Sequence, residues 1–352
     1  MANKIEKMDD DELQNVLSSY INQSTAFQEN ELSRQMAEGL KYYYGQPLGN
    51  EIEGNSTVVS KDLADAVDWI MPNLMNIFGN GEKVVEYEPH GAEDIEEAKQ
   101  ATEYVNYIYN TRCDGFSITY QWFKDALLCK NGIVKHYWEV KEEPVFDYYT
   151  GVDEETLEVM LAEDNVELLE KTKNAFDNTY DIKVSKVEKV GCLKVENVPP
   201  EEFLINVEAK SIDDAEFVAH RRQVTASYLR TIGVSEDVIE DISFTDENWG
   251  NQEQIYTARH SIDSTDQLIN SSHLNDSQRK VWLYECYVLV DYDGDGISEL
   301  RRILYVDNKA ISNEEWDMKP FSALTPNIVS HKFYGLSLYD QLKDIQEIKT
   351  TL

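Results

Sequence analysis

Apolar residues at helical spacing dominate the first third of this chain. They recur every three or four positions between residues 27 and 44 and between residues 57 and 78, which predicts two amphipathic helices. Pro72 falls inside the second stripe, so we expect that helix to bend there without breaking. The spacing also predicts helices over residues 116–129 and 92–110, the latter with an inward face of Ile95, Ala98, Ala101, Val105 and Ile108.

Strand patterns follow the helices. Alternating or β-branched runs predict strands over residues 84–87, 133–139, 145–149, 180–198 and 217–224. An acidic helical pattern over residues 153–177 is expected to be an insertion within a sheet. Helices and antiparallel sheets in one chain predict an α+β fold.

The last third begins with a helical pattern over residues 226–242 and a polar stretch, residues 243–280, that we expect to be an exposed loop. Residues 281–290 and 300–306 read as strands on either side of a turn at 291–299, which predicts a β-hairpin.

The final residues predict a helix that Ser337 caps together with Asp340. Its apolar stripe consists of Leu338, Leu342, Ile345, Ile348 and Leu352. No residue of the kind that ends a helix follows, so we expect the protein to continue beyond Leu352.

These elements predict four regions. The first is a helical N-terminal arm over residues 1–56, in which residues 1–23 form a loose arm or a short helix. The second is an α+β domain over residues 57–225 with an acidic helical insertion at 150–178. A helix and polar loop over 226–280 follow, and a β-hairpin with the start of a long helix occupies residues 281–352.

The net charge of −35 narrows the classes of partner. Such a surface repels nucleic acid and anionic membranes, so general adhesion to DNA is excluded, although DNA can pass a repulsive wall without sticking. No apolar run is long enough to span a bilayer. The four cysteines have no paired spacing, which indicates reduced thiols.

An acidic turn carries the sharpest local motif. Asp291, Asp293, Asp295 and Glu299 alternate around two glycines, as in a calcium-binding loop. The match is partial, because Arg302 stands where such a loop needs its bidentate glutamate and the flanks read as strands. A hairpin turn without an ion explains the same residues, and both interpretations stay open.

The cluster His220, Arg221 and Arg222 is a candidate contact for nucleic acid or a neighbouring subunit. Alternation along a strand sends its members to opposite faces, so the three cannot share one site. Ordinary ion pairing on a strand is the alternative.

Three consecutive tyrosines, Tyr42 to Tyr44, cannot all face one side of a helix. Either the helix lies between two layers of the fold, or one ring faces a neighbouring molecule.

Motifs for catalysis are missing from the sequence. There is no nucleophile elbow, no phosphate-binding glycine loop and no zinc-binding histidine pair, and the six histidines are dispersed. The chain is therefore not expected to be an enzyme.

Several short blocks are informative because of their order. They are Lys41–Gly45, Val58–Lys61 through Met71–Leu74 to Phe78, Phe123–Leu127 leading into Asn131–Lys135, Val198–Phe203, the Asp291–Glu299 turn, and Phe333–Ser337 through Lys349 and Thr350. Together they resemble the portal proteins of tailed bacteriophages over most of the chain.

The resemblance implies a portal-like α+β fold with a helical N-terminal part and mixed antiparallel sheets. The present residues would correspond to the wing region, with residues 281–352 in the wing or in the clip and stem, and the chain would end before the crown. The resemblance also implies a structural subunit of a dodecameric ring at one vertex of the capsid in the virion, assembled in the host cytoplasm. The implied partners are further copies of the chain, the major capsid protein, the terminase large subunit, a head–tail adaptor or tail protein, and double-stranded DNA passing through the channel.

Two other classes compete with this interpretation. One is an acidic interaction module stabilised by calcium at the Asp291–Glu299 turn, which needs no ring. The other is a carboxylate-dependent hydrolase, for which the sequence offers no more than chance pairs of acids.

Overall fold

A computed structural model describes residues 7–47, 58–79, 83–162, 166–174, 179–242, 254–260 and 275–351. The chain divides into two compact units, one formed by Met1–Lys135 with Val195–Leu352 and the other by His136–Lys194. The second unit includes the predicted acidic insertion, residues 150–178, and extends beyond it in sequence at both ends.

The described helices and strands confirm the α+β class. The helices are α1 (Asp10–Phe27), α2 (Ser33–Tyr44), α3 (Asp62–Phe78), α4 (Ile95–Tyr107), α5 (Gly115–Leu128), α6 (Glu154–Leu161), α7 (Ala226–Thr231), α8 (Glu236–Asp241), α9 (Gln254–His260) and α10 (Leu338–Thr351). The strands are β1 (Gly132–Val152), β2 (Val166–Lys173), β3 (Tyr180–Val198), β4 (Phe203–Ile205), β5 (Phe217–Thr225), β6 (Lys280–Val290), β7 (Glu299–Val306), β8 (Lys309–Glu315) and β9 (Phe321–Leu324).

The N-terminal helices form one nearly continuous rod. Asp9 caps α1 by accepting a hydrogen bond from the backbone N–H of Glu12, and a π-helical turn, Gln28–Leu32, joins α1 to α2. The loose arm considered for residues 1–23 is wrong from residue 10 onward, because α1 packs on a sheet through three buried residues, Leu13, Leu17 and Ile21.

The helices α2, α3, α5, α9 and α10 share one apolar core. The helix α3 runs through Pro72 without a break and buries Leu63, Val67, Met71 and Met75 along one side. The turn of the chain after α2 uses Gly45, whose φ of 67° favours a residue without a side chain.

The strand predicted at residues 84–87 is wrong. The N–H groups of Val84 and Val85 donate to the side-chain oxygen of Asn106, at 2.5 and 3.1 Å, instead of to a neighbouring strand. Because α4 offers these side-chain partners, its buried positions are Asn106 and Thr102, while Ile95 of the predicted inward face is exposed.

The second unit, His136–Lys194, contains the helix α6 and antiparallel strands β2 and β3. The predicted acidic helix over 153–177 is correct for Glu154–Leu161 alone, since the chain continues as β2. The change of element follows from the sequence, because Val166 and Leu168 repeat at the period of a strand and pack with Leu157 of α6.

A five-stranded antiparallel sheet in the first unit has the order β4-β5-β6-β7-β8. The helix α1 covers one of its faces, where its buried residues form one apolar core with Phe217, Ala219 and Cys286 of the sheet. The opposite face has apolar groups at both ends, and charged side chains occupy the positions between them. The predicted strands 217–224, 281–290 and 300–306 are confirmed here, as is the hairpin of the last two.

Two further predictions in this part need correction. The helix predicted over 226–242 is two short helices, because Gly233, with a φ of 85°, interrupts it between α7 and α8. The stretch 243–280 lies mostly outside the described residues, but α9 within it is not a polar loop, since Ile255 and Ala258 are buried against α2.

The C-terminal helix α10 has the predicted cap. Ser337 donates its backbone N–H to Asp340 Oδ2 at 2.8 Å, and the Asp340 N–H lies 3.4 Å from Ser337 Oγ. The predicted apolar face is correct for Leu338 and Leu342, which pack against the core, and wrong for Ile345 and Ile348, which are exposed. The fully buried residues of α10 are instead Tyr339 and Gln346, and Leu352 of the predicted face lies outside the described residues.

The buried side-chain amide of Gln346 explains why the buried side of α10 differs from the predicted one. Gln346 accepts a hydrogen bond from the Leu63 N–H at 3.0 Å and donates one to the Tyr42 carbonyl at 3.1 Å. The helix α2 packs against α3, α5, α9 and α10. All three tyrosines from Tyr42 to Tyr44 pack in or against this core, in agreement with the first of the two alternatives.

Replacing Gln346 with alanine is expected to destabilise the protein by about 3 kcal/mol, because the Leu63 N–H and the Tyr42 carbonyl lose their buried partner. Chemical denaturation measures this cost. The control is Gln341→Ala on the exposed side of α10, where a change within about 0.5 kcal/mol is expected. Equal effects of the two variants would contradict the anchoring role of Gln346.

Candidate functional site

The strand β5 carries the predicted basic cluster, and its pleat separates the cluster's members. His220 and Arg222 lie on one face of the five-stranded sheet and Arg221 on the other. His220 Nε2 lies 3.2 Å from a carboxylate oxygen of Glu202, and Arg222 donates to the hydroxyl of Tyr228. The three side chains therefore do not meet at one site.

Arg221 is enclosed by the chain. Its side chain donates to the backbone carbonyl of Glu201 at 3.0 Å and lies 3.3 Å from a carboxylate oxygen of Glu29. The indole of Trp282 lies beneath the guanidinium at 5.5 Å. The contact of Arg221 with Glu29 holds the N-terminal rod against the sheet, so the charge of Arg221 has a structural role.

The centre of the charged face is the carboxylate of Glu285 on β6. Lys135 Nζ donates to one of its oxygens at 2.5 Å, while Arg302 Nε and the Tyr287 hydroxyl donate to the other at 2.9 and 2.7 Å. Lys135 is 6% exposed in its side chain and Glu285 is 10% exposed. The carboxylate is therefore fully used by partners inside the fold.

The surrounding cations decide the ionisation of Glu285. Burial by itself would raise the pKa of this carboxyl, but Lys135 and Arg302 outweigh burial and lower the pKa to about 2. Burial likewise opposes the charge of Arg302, and Glu285 reverses that effect and raises the pKa of the guanidinium. A second carboxylate, Glu314, lies 3.3 Å from Arg302 and completes the network.

Sequence reasoning did not single out Glu285. The available signal was one carboxylate inside the otherwise apolar strand Val281–Val290, a position where an acid needs a buried cation. Nothing in the spacing identifies Lys135, which lies 150 positions away, as that cation.

A second charged group was also missed. Arg259 of α9 lies 3.3 Å from Glu201 and 3.9 Å from Asp125 of α5. Burial raises the pKa of Asp125 to about 6, against the lowering effect of Arg259. Burial also raises the pKa of the neighbouring Cys129 thiol, which makes it a poor nucleophile.

The acidic turn brings three of its four predicted ligands together. Oxygens of Asp291, Asp293 and Glu299 lie within 4.8 Å of one another. Asp295 is directed elsewhere, since one of its oxygens accepts the N–H of Ile297 at 2.7 Å.

The same carboxylates also hold the turn. The two oxygens of Asp291 accept the N–H groups of Gly294 and Gly296 at 2.8 and 2.9 Å, and Glu299 lies 3.5 Å from Arg301. Both glycines have positive φ, which the turn needs. Residues with these bonds form a stable turn without an ion, and a calcium site formed by Asp291, Asp293, Asp295 and Glu299 stays a prediction.

Comparison with known proteins adds one finding to this geometry. Residues 13–352 match a family model described as phage SU10 portal protein. A comparison with curated proteins returns no match. The family match confirms the resemblance that the ordered sequence blocks predicted. Within the described ranges, no helix is long and apolar enough to cross a membrane.

Glu285→Gln is expected to destabilise the protein by about 3 kcal/mol at neutral pH, since about 2.5 pKa units separate the folded carboxyl from its ordinary value of 4.5. A lowered pKa contributes stability that is complete above pH 4.5 and is lost as the pH falls towards 2. The difference between wild type and variant should therefore fall to about half at pH 3. Denaturant unfolding at the two pH values measures it.

The matched control for that variant is Glu314→Gln at the exposed end of the same network. Its side chain is 54% exposed, so we expect a change below about 1 kcal/mol at both pH values. A pH-independent cost for Glu285→Gln would contradict the assignment of its low pKa.

Asp291→Ala is expected to lower stability by about 2 kcal/mol, because the N–H groups of Gly294 and Gly296 lose their acceptor. We expect the same cost with and without millimolar calcium, measured by thermal unfolding. A calcium-dependent increase in the wild-type unfolding temperature that Asp291→Ala abolishes would instead establish the metal site.

Proposed function

Because the chain belongs to the phage SU10 portal protein family, we propose that it is a structural subunit of a dodecameric ring at the portal vertex of the virion. The observation that carries the proposal is the family match, which spans residues 13–352. The family is a structural one, and we propose no catalytic role for any residue of the chain.

The ring forms the channel through which DNA is packaged and later ejected. Terminase docks on the ring during packaging, and a head–tail adaptor or tail protein docks afterwards, while the major capsid protein surrounds it. The ring assembles in the host cytoplasm. These partners follow from the family assignment.

A closed ring requires two different interface patches on each subunit, because head-to-tail contacts are heterologous. Each subunit also carries a net charge of −35, so neighbouring copies repel one another. A patch that brings them together therefore needs apolar area that outweighs this repulsion.

The outer side of α3 offers such a patch. The helix buries its inner stripe, yet Trp69 is 79% exposed and Ile77 is 66% exposed. Phe78 at the end of α3 is half-exposed as well, but it lies on the inner side of the helix, where its ring packs on Phe123 of α5. We name Trp69 and Ile77 the α3 patch and assign it to the contact between subunits.

The acidic composition also suits the channel. A wall that repels phosphates lets DNA slide, and cations such as Arg221 and Lys135 are enclosed by ion pairs where DNA cannot reach them. Weak contact with passing DNA is thus the expected behaviour.

The alternative function is a calcium-stabilised interaction module. The carboxylate group of Asp291, Asp293 and Glu299 is the observation that favours it. It predicts a calcium-dependent monomer or dimer, whereas the portal proposal predicts a ring that forms without calcium.

Electron microscopy of the purified protein at low concentration tests the proposal. Class averages with rotational symmetry near twelve-fold and a central channel are expected. Monomers, or dimers with one self-matching patch, would overturn it.

Ile77→Asp tests the α3 patch in the same assay. The substitution is expected to shift the protein from rings to monomers without a change in unfolding temperature, because this side chain is mostly exposed within one subunit. The control is Ile328→Asp, a side chain that is 81% exposed outside the α3 patch and should leave rings intact. Rings formed by Ile77→Asp would remove the patch from the interface while leaving the ring itself in place.

A further inference from the structure

A cavity of about 260 Å³ opens on the charged face of the five-stranded sheet, next to α7. Its polar lining comes from Arg222, Tyr228, Glu285, Arg302, Ser312 and Glu314. These side chains belong to α7 and to four neighbouring elements of one compact unit, so the fold itself brings them together.

Among the described residues, Arg222 is the cation of this cavity that has no carboxylate partner. Its contacts are with the hydroxyl of Tyr228 and with the ring of the same residue, which lies 4.9 Å from the guanidinium carbon. Both contacts are with the phenol side chain of Tyr228, and neither is with a carboxylate. In a chain with 67 acidic residues, this pairing leaves positive charge directed into the cavity.

The other charges of the lining are already compensated. Glu285 lies 2.5 Å from Lys135 and 2.9 Å from Arg302, and Arg302 also lies 3.3 Å from Glu314. The lining itself carries the positive charges of Arg222 and Arg302 and the negative charges of Glu285 and Glu314. Lys135, which is not part of the lining, adds a third positive charge through its ion pair with Glu285. An anion in the cavity would bring these groups to neutrality.

Two hydroxyl groups line the cavity together with the guanidinium. Tyr228 accepts from Arg222 and keeps its own proton to donate. The Ser312 hydroxyl is buried and has no hydrogen-bond partner among the described residues. A tetrahedral or planar oxyanion accepts several hydrogen bonds at once, which matches a cavity lined by a guanidinium and two hydroxyl groups.

We propose that this cavity binds a phosphate-sized oxyanion, with Arg222 as its counter-ion and the hydroxyls of Tyr228 and Ser312 as further donors. The oxyanion is either a free ion such as inorganic phosphate or a carboxylate presented by a neighbouring copy of the chain. Binding of a free oxyanion concerns the single subunit and stands independently of the ring, whereas a carboxylate from a neighbouring copy requires assembly.

Isothermal titration of the wild-type protein with inorganic phosphate, at constant ionic strength set by sodium chloride, tests the site. Saturable binding is expected, together with a rise in unfolding temperature that chloride does not produce. Arg222→Gln should weaken phosphate binding at least about tenfold. Phosphate without saturable heat, or Arg222→Gln with wild-type affinity, would overturn the proposal.

The matched control is Arg230→Gln, because Arg230 lies on α7 but pairs with Glu236 outside the cavity. This variant should bind phosphate like the wild type. If Arg222→Gln does not fold, Tyr228→Phe replaces it, since that change keeps the ring beneath the guanidinium and removes the hydroxyl. We expect Tyr228→Phe to bind several-fold more weakly, and unchanged affinity would overturn the proposal.

The two sources of the oxyanion are distinguished by the assembly state. Phosphate that binds isolated subunits and rings equally identifies a free anion. Phosphate that binds isolated subunits, is displaced by acetate, and no longer binds rings identifies a carboxylate from the neighbouring copy.

Discussion

The buried ion pair between Lys135 and Glu285 is the constraint on which the rest of this fold depends. Two charges with little access to water cost several kcal/mol to bury, and removal of either partner leaves the other uncompensated. The first residues of β1 must therefore lie over the centre of the five-stranded sheet. A shift of one residue along β1 would turn Lys135 away and bury an apolar side chain against a carboxylate.

This position of β1 fixes other parts of the molecule. Lys135 is paired in register with Phe321 of β9, so the ion pair also sets where β9 lies. Phe321 in turn packs against Phe203 and Tyr287, and the Tyr287 hydroxyl returns to Glu285. Charge and aromatic packing thus specify one arrangement, which is more than an apolar core of similar volume would do.

Elements with a strong period could be predicted from the sequence, whereas those defined by distant partners could not. The strands 217–224 and 281–290 and the helix 116–129 carry their pattern locally, and the structure has them. The segment 84–87 looks like a strand, but its hydrogen-bond partners are side chains of α4. The buried face of α10 is likewise set by Gln346, a residue that an apolar pattern counts as solvent-exposed.

The candidate sites could likewise be predicted where their residues are close in sequence, but not where they are far apart. The acidic turn is local, so its residues were found, and the separation of His220 and Arg222 from Arg221 followed from strand geometry. The network around Glu285 joins residues 150 positions apart, and no spacing rule reaches that far. The cations of this network form ion pairs inside the subunit, so they do not offset the negative charge of the subunit surface. In a ring of such subunits, repulsion acts between copies as well as on DNA, and apolar contact between neighbours has to oppose it.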